Sequence, residues 1–128
     1  MGAVYLDTSA LGRVLLDEPG AFEVLQALSE FEARVSSWLL RLELRRLALR
    51  HGALDAAQEL LQGIALAPLE QATLGIAETI EPRGIATLDA IHLATAVRMS
   101  ETLDAVMTYD AALARGAEHH GLTVLAPA

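Results

Sequence analysis

Lysine and cysteine are both absent from the chain, aromatic residues make up only 4% of it, and just four prolines interrupt it. Without cysteine there is neither a disulfide nor a thiolate zinc site, so the core alone must hold the fold. The 128 residues amount to one domain's worth of chain, and a domain of that size buries roughly two thirds of the surface its unfolded form exposes. Without lysine, P-loop phosphate binding and Schiff-base chemistry are excluded, because both need an ammonium group. The few aromatics leave little for stacking nucleobases. Long apolar runs are also missing. The longest nearly uncharged stretch, Ile85 to Val97, contains Asp89 and His92 and is shorter than the ~20 residues needed to cross a bilayer. The opening residues carry no basic region, and Leu6 stands where a myristoylation signal needs serine or threonine, so a cytoplasmic protein with no membrane association is expected.

What is present is acid and aliphatic side chain. Seventeen Asp and Glu against nine Arg leave a formal charge of −8, and 53% of the residues are hydrophobic. Such a balance argues against a nonspecific nucleic-acid coat, which needs spread basic charge. It does not exclude an enzyme that meets phosphates through a metal.

No repeat, low-complexity stretch or Ser/Gly linker divides the chain. Ala3 to Leu6 reads as a strand, and a helical pattern with Leu11, Val14 and Leu15 follows the turn Asp7-Thr8-Ser9. A second helix fits Ala21 to Glu32, and a short strand fits Arg34 to Ser36. Ser36 or Ser37 would cap a helix from Trp38 to Arg50 that Gly52 ends. Helices over Leu54 to Gln62 and Leu69 to Thr79 flank a strand at Ile64 to Ala67. The last third repeats the alternation, with helices over Thr87 to Met99 and Ala111 to His119 and strands over Ala105 to Thr108 and Leu122 to Leu125. Strands alternating with helices predict an α/β fold whose sheet is mostly parallel, with ligands beyond the C-terminal strand ends.

Four acids stand out against that frame. Asp7 follows a strand directly and Asp110 stands just past the end of another, after Val106-Met107-Thr108-Tyr109, where either could reach a cleft or simply cap the next helix. Glu43 interrupts an apolar stripe of Leu40, Leu44 and Leu47, so it must reach a cleft or pair with Arg46. Asp89 lies in an otherwise apolar helix, one turn from His92. It either meets a counterion or serves as an N-terminal helix acid beneath a Thr87 cap. His92 reads as a core residue supporting Asp89, and His119-His120 as a favourable helix C-terminus. Arg41, Arg45, Arg46 and Arg50 share the helix of Glu43 and could bind RNA phosphates, a protein partner or neighbouring acids. Trp38, Phe22 and Phe31 read as core or interface.

These residues fall in an order that resembles the PIN domain, and within it the VapC-type ribonuclease toxins of prokaryotic toxin–antitoxin pairs. The segments are Tyr5-Leu6-Asp7-Thr8-Ser9-Ala10-Leu11, Ser36-Ser37 leading to Leu42-Glu43-Leu44, Leu88-Asp89-Ala90-Ile91-His92-Leu93-Ala94-Thr95-Ala96, Thr108-Tyr109-Asp110 and Gly121-Leu122-Thr123-Val124-Leu125. The resemblance implies a three-layer α/β/α sandwich with about five strands. It also implies a metal-dependent endoribonuclease site in which Asp7, Glu43, Asp89 and Asp110 hold Mg²⁺ or Mn²⁺, with Ser9 and Thr108 as supporting hydroxyls. It further implies a homodimer and a VapB-like antitoxin that neutralises the toxin. Carboxylates gathered in one cleft raise one another's pKa, and hard oxygen ligands select Mg²⁺ or Mn²⁺. Other folds that place an aspartate after a strand, the receiver domain and the haloacid-dehalogenase-like phosphatases, use a lysine that this chain lacks. A catalytically silent module of the same fold, or a DNA nuclease, is the alternative.

Overall fold

The computed structural model describes residues 2–128. Its elements run β1 (Ala3–Leu6), α1 (Thr8–Leu15), α2 (Ala21–Leu28), β2 (Ala33–Ser37), α3 (Trp38–Arg50), α4 (Leu54–Leu61), β3 (Ala65–Ala67), α5 (Gln71–Ala77), α6 (Thr87–Arg98), β4 (Leu103–Met107), α7 (Ala111–His119) and β5 (Val124–Leu125), with a 3₁₀ turn at Ser100–Thr102 before β4. The strands form one parallel sheet in the order β3-β2-β1-β4-β5. No helix among the described residues is long and apolar enough to cross a membrane.

The sheet is covered on both faces, which is why all four residues of β1 are buried and apolar. Their side chains alternate between two cores. Val4 and Leu6, with Ala105 and Met107 of β4, pack against Leu11 of α1, Val24 of α2, Leu40 and Leu44 of α3 and Ala57 of α4. Tyr5 and Val106 point the other way, against Leu93 and Ala96 of α6 and Leu113 and Ala117 of α7. Arg98 of α6 donates to the buried Thr73 Oγ1 of α5 at 2.8 Å, tying that helix to the second layer. The result is the three-layer α/β/α sandwich.

Local chemistry explains most element boundaries. Ser37 caps α3 by accepting from Leu39 N at 3.0 Å, whereas Ser36 is buried and donates to Leu6 O at 2.6 Å. Gly52, at φ +66°, takes the left-handed turn that ends α3. Thr87 does not cap α6. It is the first helical residue, and Ala86 in front of it offers no side-chain cap. The second helix stops at Leu28, short of Glu32, because Ser29 turns back to Gln26 O and Phe31 drops into the core. Strand β4 starts at Leu103, two residues before the expected Ala105, because Leu103 already pairs with Ala3.

The sheet order places a topological switch between β1 and β4, whose crossovers leave in opposite directions. A cleft opens beyond the C-terminal ends of such neighbours. Leu6 pairs with Met107, so Asp7 and Thr108 emerge side by side at that edge.

Candidate active site

Four elements deliver the site, and each does so at or near a helix N-terminus. Asp7 is the N-cap of α1, Glu43 lies in the second turn of α3, Asp89 in the first turn of α6, and Asp110 is the N-cap of α7. The positive ends of the helix dipoles partly offset the mutual repulsion of the acids.

Asp7 is buried, and its Oδ2 accepts from Ser9 Oγ at 2.7 Å, Thr108 Oγ1 at 2.8 Å and Ser9 N at 3.4 Å. Ser9 Oγ and Thr108 Oγ1 also accept from Tyr109 N and Asp110 N, at 2.8 and 3.0 Å. These two hydroxyls therefore lock the end of β1 to the end of β4. Asp110 Oδ1 accepts from Leu113 N at 2.9 Å. Asp7 and Asp110 both cap helices, and capping leaves each at the C-terminal edge of the sheet where a site would form.

Glu43 pairs with neither Arg46 nor any other arginine among the described residues. Its Oε1 accepts from Thr8 Oγ1 at 2.7 Å and lies 2.8 Å from His92 Nε2. Across the ring, His92 Nδ1 is 2.7 Å from the hydroxyl of Tyr5, and both residues are buried. His92 thus reaches toward Tyr5 and Glu43, with Asp7 Oδ1 at 3.7 Å, while Asp89 has no hydrogen bond to it. Burial pushes the Tyr5 phenol up, so it stays neutral. Burial also pushes the Glu43 carboxyl up, but the hydrogen bonds from His92 and Thr8 outweigh it and hold the group below its usual range. The network is satisfied when Tyr5 O–H donates to Nδ1 and Nε2–H donates to the Glu43 carboxylate. Replacing Tyr5 with phenylalanine leaves buried Nδ1 without its donor, at a cost of about 1–3 kcal/mol. The expected Tyr5→Phe result in thermal unfolding is a melting temperature lower by several degrees.

Asp89 has no hydrogen-bond partner among the described residues, and its carboxyl is pushed up to about 6. Burial is the largest cause, followed by the negative charges of Asp110 and Asp7; Glu43 adds to these and His92 opposes them. The Asp89 carboxyl therefore feels the charges of the other three acids, which emerge at the same end of the sheet. No three acidic or histidine side chains among the described residues form a ready-made metal cage, so the donor set is open. Such an open, all-oxygen donor set fits Mg²⁺ or Mn²⁺, which bind through one or two carboxylates and keep several waters.

Beside the acids a groove of about 660 Å³ lies over α1, lined by Thr8, Ser9 and Asp110 together with Arg13, Leu47 and Tyr109. The α3 arginines lie elsewhere. Arg41, Arg45 and Arg46 share a separate depression of about 380 Å³ with Trp38, Leu42 and Leu49. Arg41 lies over the Trp38 ring, Arg45 Nη1 donates to Gln58, and Arg50 is exposed at the end of the helix. Trp38, Leu42 and Leu49 are each about half exposed, at 48%, 52% and 53%, and Phe22 is 70% exposed, whereas Phe31 is core. His120 Nε2 lies 2.6 Å from Glu81 O, remote from the acids. Sequence reasoning did not single out Thr8, Tyr5 or Arg13 for the site. Thr8 adjoins Asp7 in the chain and was the one within reach of inspection.

The PIN domain model matches residues 4–125. Among curated proteins, Ribonuclease VapC47 of Mycobacterium tuberculosis strain CDC 1551 is 37% identical, with 97% of this chain and 96% of that protein covered. Ribonuclease VapC46 of strain H37Rv is 36% identical, with 99% of each covered. Among solved structures, a toxin–antitoxin complex from Klebsiella pneumoniae superposes with a TM-score of 0.74 at 19% identity over 98% of both chains. Mycobacterium tuberculosis VapC20, a sarcin–ricin loop cleaving toxin, gives 0.69 at 14% identity, covering 88% of this chain and 93% of its own.

Proposed function

Because the chain belongs to the PIN domain family and is VapC-like along nearly its whole length, we propose that it is a divalent-metal-dependent endoribonuclease, the toxin of a toxin–antitoxin pair acting in the cytoplasm. What supports the reading is that Asp7 and Glu43 lie within 3.7 Å of one His92 nitrogen and that Thr108 bridges Asp7 to the backbone of Asp110, while burial and the charges of Asp110, Asp7 and Glu43 raise the Asp89 carboxyl. Ribonucleases are the named activity of the two relatives above 35% identity. The lack of cysteine suits a reducing compartment.

The four carboxylates would hold Mg²⁺ or Mn²⁺, and the ion supplies charge neutralisation at the phosphodiester and a more acidic water. The chain's own residues do the positioning. Ser9 and Thr108 fix Asp7, and Thr8 and His92 fix Glu43, so neither carboxylate must reorganise when a phosphate arrives. Asp89, free of hydrogen bonds, is the acid most able to change its protonation as the site fills. His92 is engaged on both nitrogens, so we give it a positioning role and not that of a base.

The arginine and aromatic stripe on α3 has the composition of a protein interface, with exposed aromatic and aliphatic side chains beside arginines. We assign Arg41, Arg45, Arg46 and Arg50 to a protein partner, a VapB-like antitoxin or a second copy of the chain. Incubating the purified protein with a structured RNA pool and Mg²⁺, Mn²⁺ or EDTA, then mapping new 5′ ends, tests the activity. Discrete cuts with metal and none with EDTA are expected. Binding without cutting under all three conditions would favour a catalytically silent module, and cutting of a matched DNA pool alone would favour a DNA nuclease.

A further inference from the structure

We propose that the groove over α1 is the seat of the nucleotide next to the scissile bond, and that Arg13 grips its phosphate. The inference rests on the ribonuclease reading and adds to it a path for the RNA strand and the residue that holds it there. The groove is lined by Asp110 and by Thr8 and Ser9, whose hydroxyls bond Glu43 and Asp7, so it adjoins the acids, whereas the α3 arginines line a depression that shares no residue with it. Arg13 is the only base lining the groove, and the neighbouring Glu18 and Asp110 are acids. A polyanion leaving the acid cleft on this side meets one cation.

That cation is held in place before any ligand arrives. Its guanidinium carbon lies 3.5 Å from the centre of the Tyr109 ring, and Nη1 donates to Pro19 O at 2.8 Å. The ring is anchored in turn by its hydroxyl, which donates to Pro127 O. Gly20 adopts φ +98° at the end of the turn before α2, where a Cβ would come within 3.3 Å of Arg13 Nη1 and 3.4 Å of its Cδ. A side chain at position 20 would be strained at that φ and would crowd the guanidinium by a few tenths of an ångström. No carboxylate neutralises Arg13 within 4 Å, and its Nε and Nη2 make no hydrogen bond among the described residues. Guanidinium N–H groups fixed in a plane match phosphate oxygens in pairs. The stacking and the Pro19 bond have already removed much of the side chain's freedom, so little more is lost on binding.

The test uses a fluorescein-labelled 12-nucleotide single-stranded RNA of mixed sequence, bound in EDTA across a salt series, together with cleavage kinetics on the same RNA with Mg²⁺. Arg13→Gln is expected to raise Kd and KM about tenfold, the worth of one charged hydrogen bond, with kcat changed less than twofold. The slope of log Kd against log salt should fall by about 0.7, the signature of one lost phosphate contact on a single strand. Arg13→Lys should restore the slope and part of the KM. Arg115→Gln, which removes the same charge from an exposed position outside the groove, should leave the slope unchanged. A lower melting temperature in Arg13→Gln with an unchanged salt slope would make Arg13 a staple between α1 and Tyr109 and overturn the proposal, as would an equal loss of slope in Arg115→Gln. If Arg13→Gln does not fold, the Arg13→Lys pattern decides: a wild-type slope with raised KM supports the site, and wild-type KM overturns it. Wild-type protein that cuts no RNA with Mg²⁺ would instead remove the reading beneath the proposal, and the wild-type control reports that separately.

Discussion

Asp7→Asn is expected to lower metal-dependent RNA cleavage by about a thousandfold, equivalent to roughly 4 kcal/mol of lost transition-state stabilisation, while leaving the fold intact. The substitution keeps the shape of the side chain and removes only its charge. The hydroxyls of Ser9 and Thr108 both donate to Oδ2, and an asparagine oxygen can take that place. Asparagine also caps helices about as well as aspartate, so α1 keeps its N-terminus. Single-turnover cleavage and a thermal melt of the same preparation separate the two effects. A loss of activity accompanied by a large fall in melting temperature would make Asp7 a structural residue.

The second large effect is one of opposite sign on stability and activity. Asp89→Asn should stabilise the metal-free protein at pH 7 by about 1 kcal/mol, after allowing for the solvent that still reaches this half-buried group, and raise its melting temperature by about 3–5 °C. The sign follows from the carboxyl being raised from 3.8 to about 6. A carboxyl that is harder to ionise in the folded state favours folding below its unfolded pKa, and that contribution disappears as pH rises through about 6. The advantage of the variant should therefore shrink as the pH is lowered toward 4, where both proteins carry a neutral side chain. Adding Mg²⁺ should raise the melting temperature of wild type more than that of the variant, because the ion relieves a repulsion the variant no longer has. Cleavage by the variant should be lost. A variant that melts at the wild-type temperature at both pH 7 and pH 4 would mean that the four carboxylates do not repel one another across the cleft.

Much of this architecture was visible in the chain's periodicity. The alternation of apolar runs and helical stripes led to the parallel sheet, and α7 occupies Ala111–His119, the expected range. The boundaries that shifted did so for tertiary reasons. Nothing local to Leu103 and Asp104 marks them as strand, because their pairing partner is the first strand, a hundred positions away. The 3₁₀ turn that delivers them carries no periodic signal. Helix α5 is shorter than its apolar pattern, leaving Leu69 outside it, and its exposed Leu74 and Ile76 show that apolar side chains at helical spacing need not be core.

The acids were legible because each breaks a local rule, ending a strand or interrupting an apolar stripe. Ser9 and Thr108 follow from the family resemblance, whereas Tyr5, Thr8 and Arg13 carry no local signal of their contacts, because what they touch lies far along the chain. The Tyr5 hydroxyl bonds a histidine 87 positions away, and Arg13 lies on a tyrosine from the β4–α7 connection. Asp89 and His92, one turn apart, invited a pairing that α6 does not make, since the imidazole turns under the sheet edge toward Glu43. Spacing on a helix finds neighbours on that helix; it does not find what crosses between layers.

Asp7 and Asp110 are helix caps as well as the proposed site acids, and that double duty bears on how such a chain would lose its chemistry. Asparagine satisfies a cap as well as aspartate does, so one base transition in the codon for either residue leaves the scaffold folded and every outward surface unchanged. A disarmed copy of this kind would still occupy whatever partner the α3 stripe engages. Expressed beside the intact protein, it would act as a decoy if the proposed partner is an inhibitor, drawing that partner off while doing no cutting of its own.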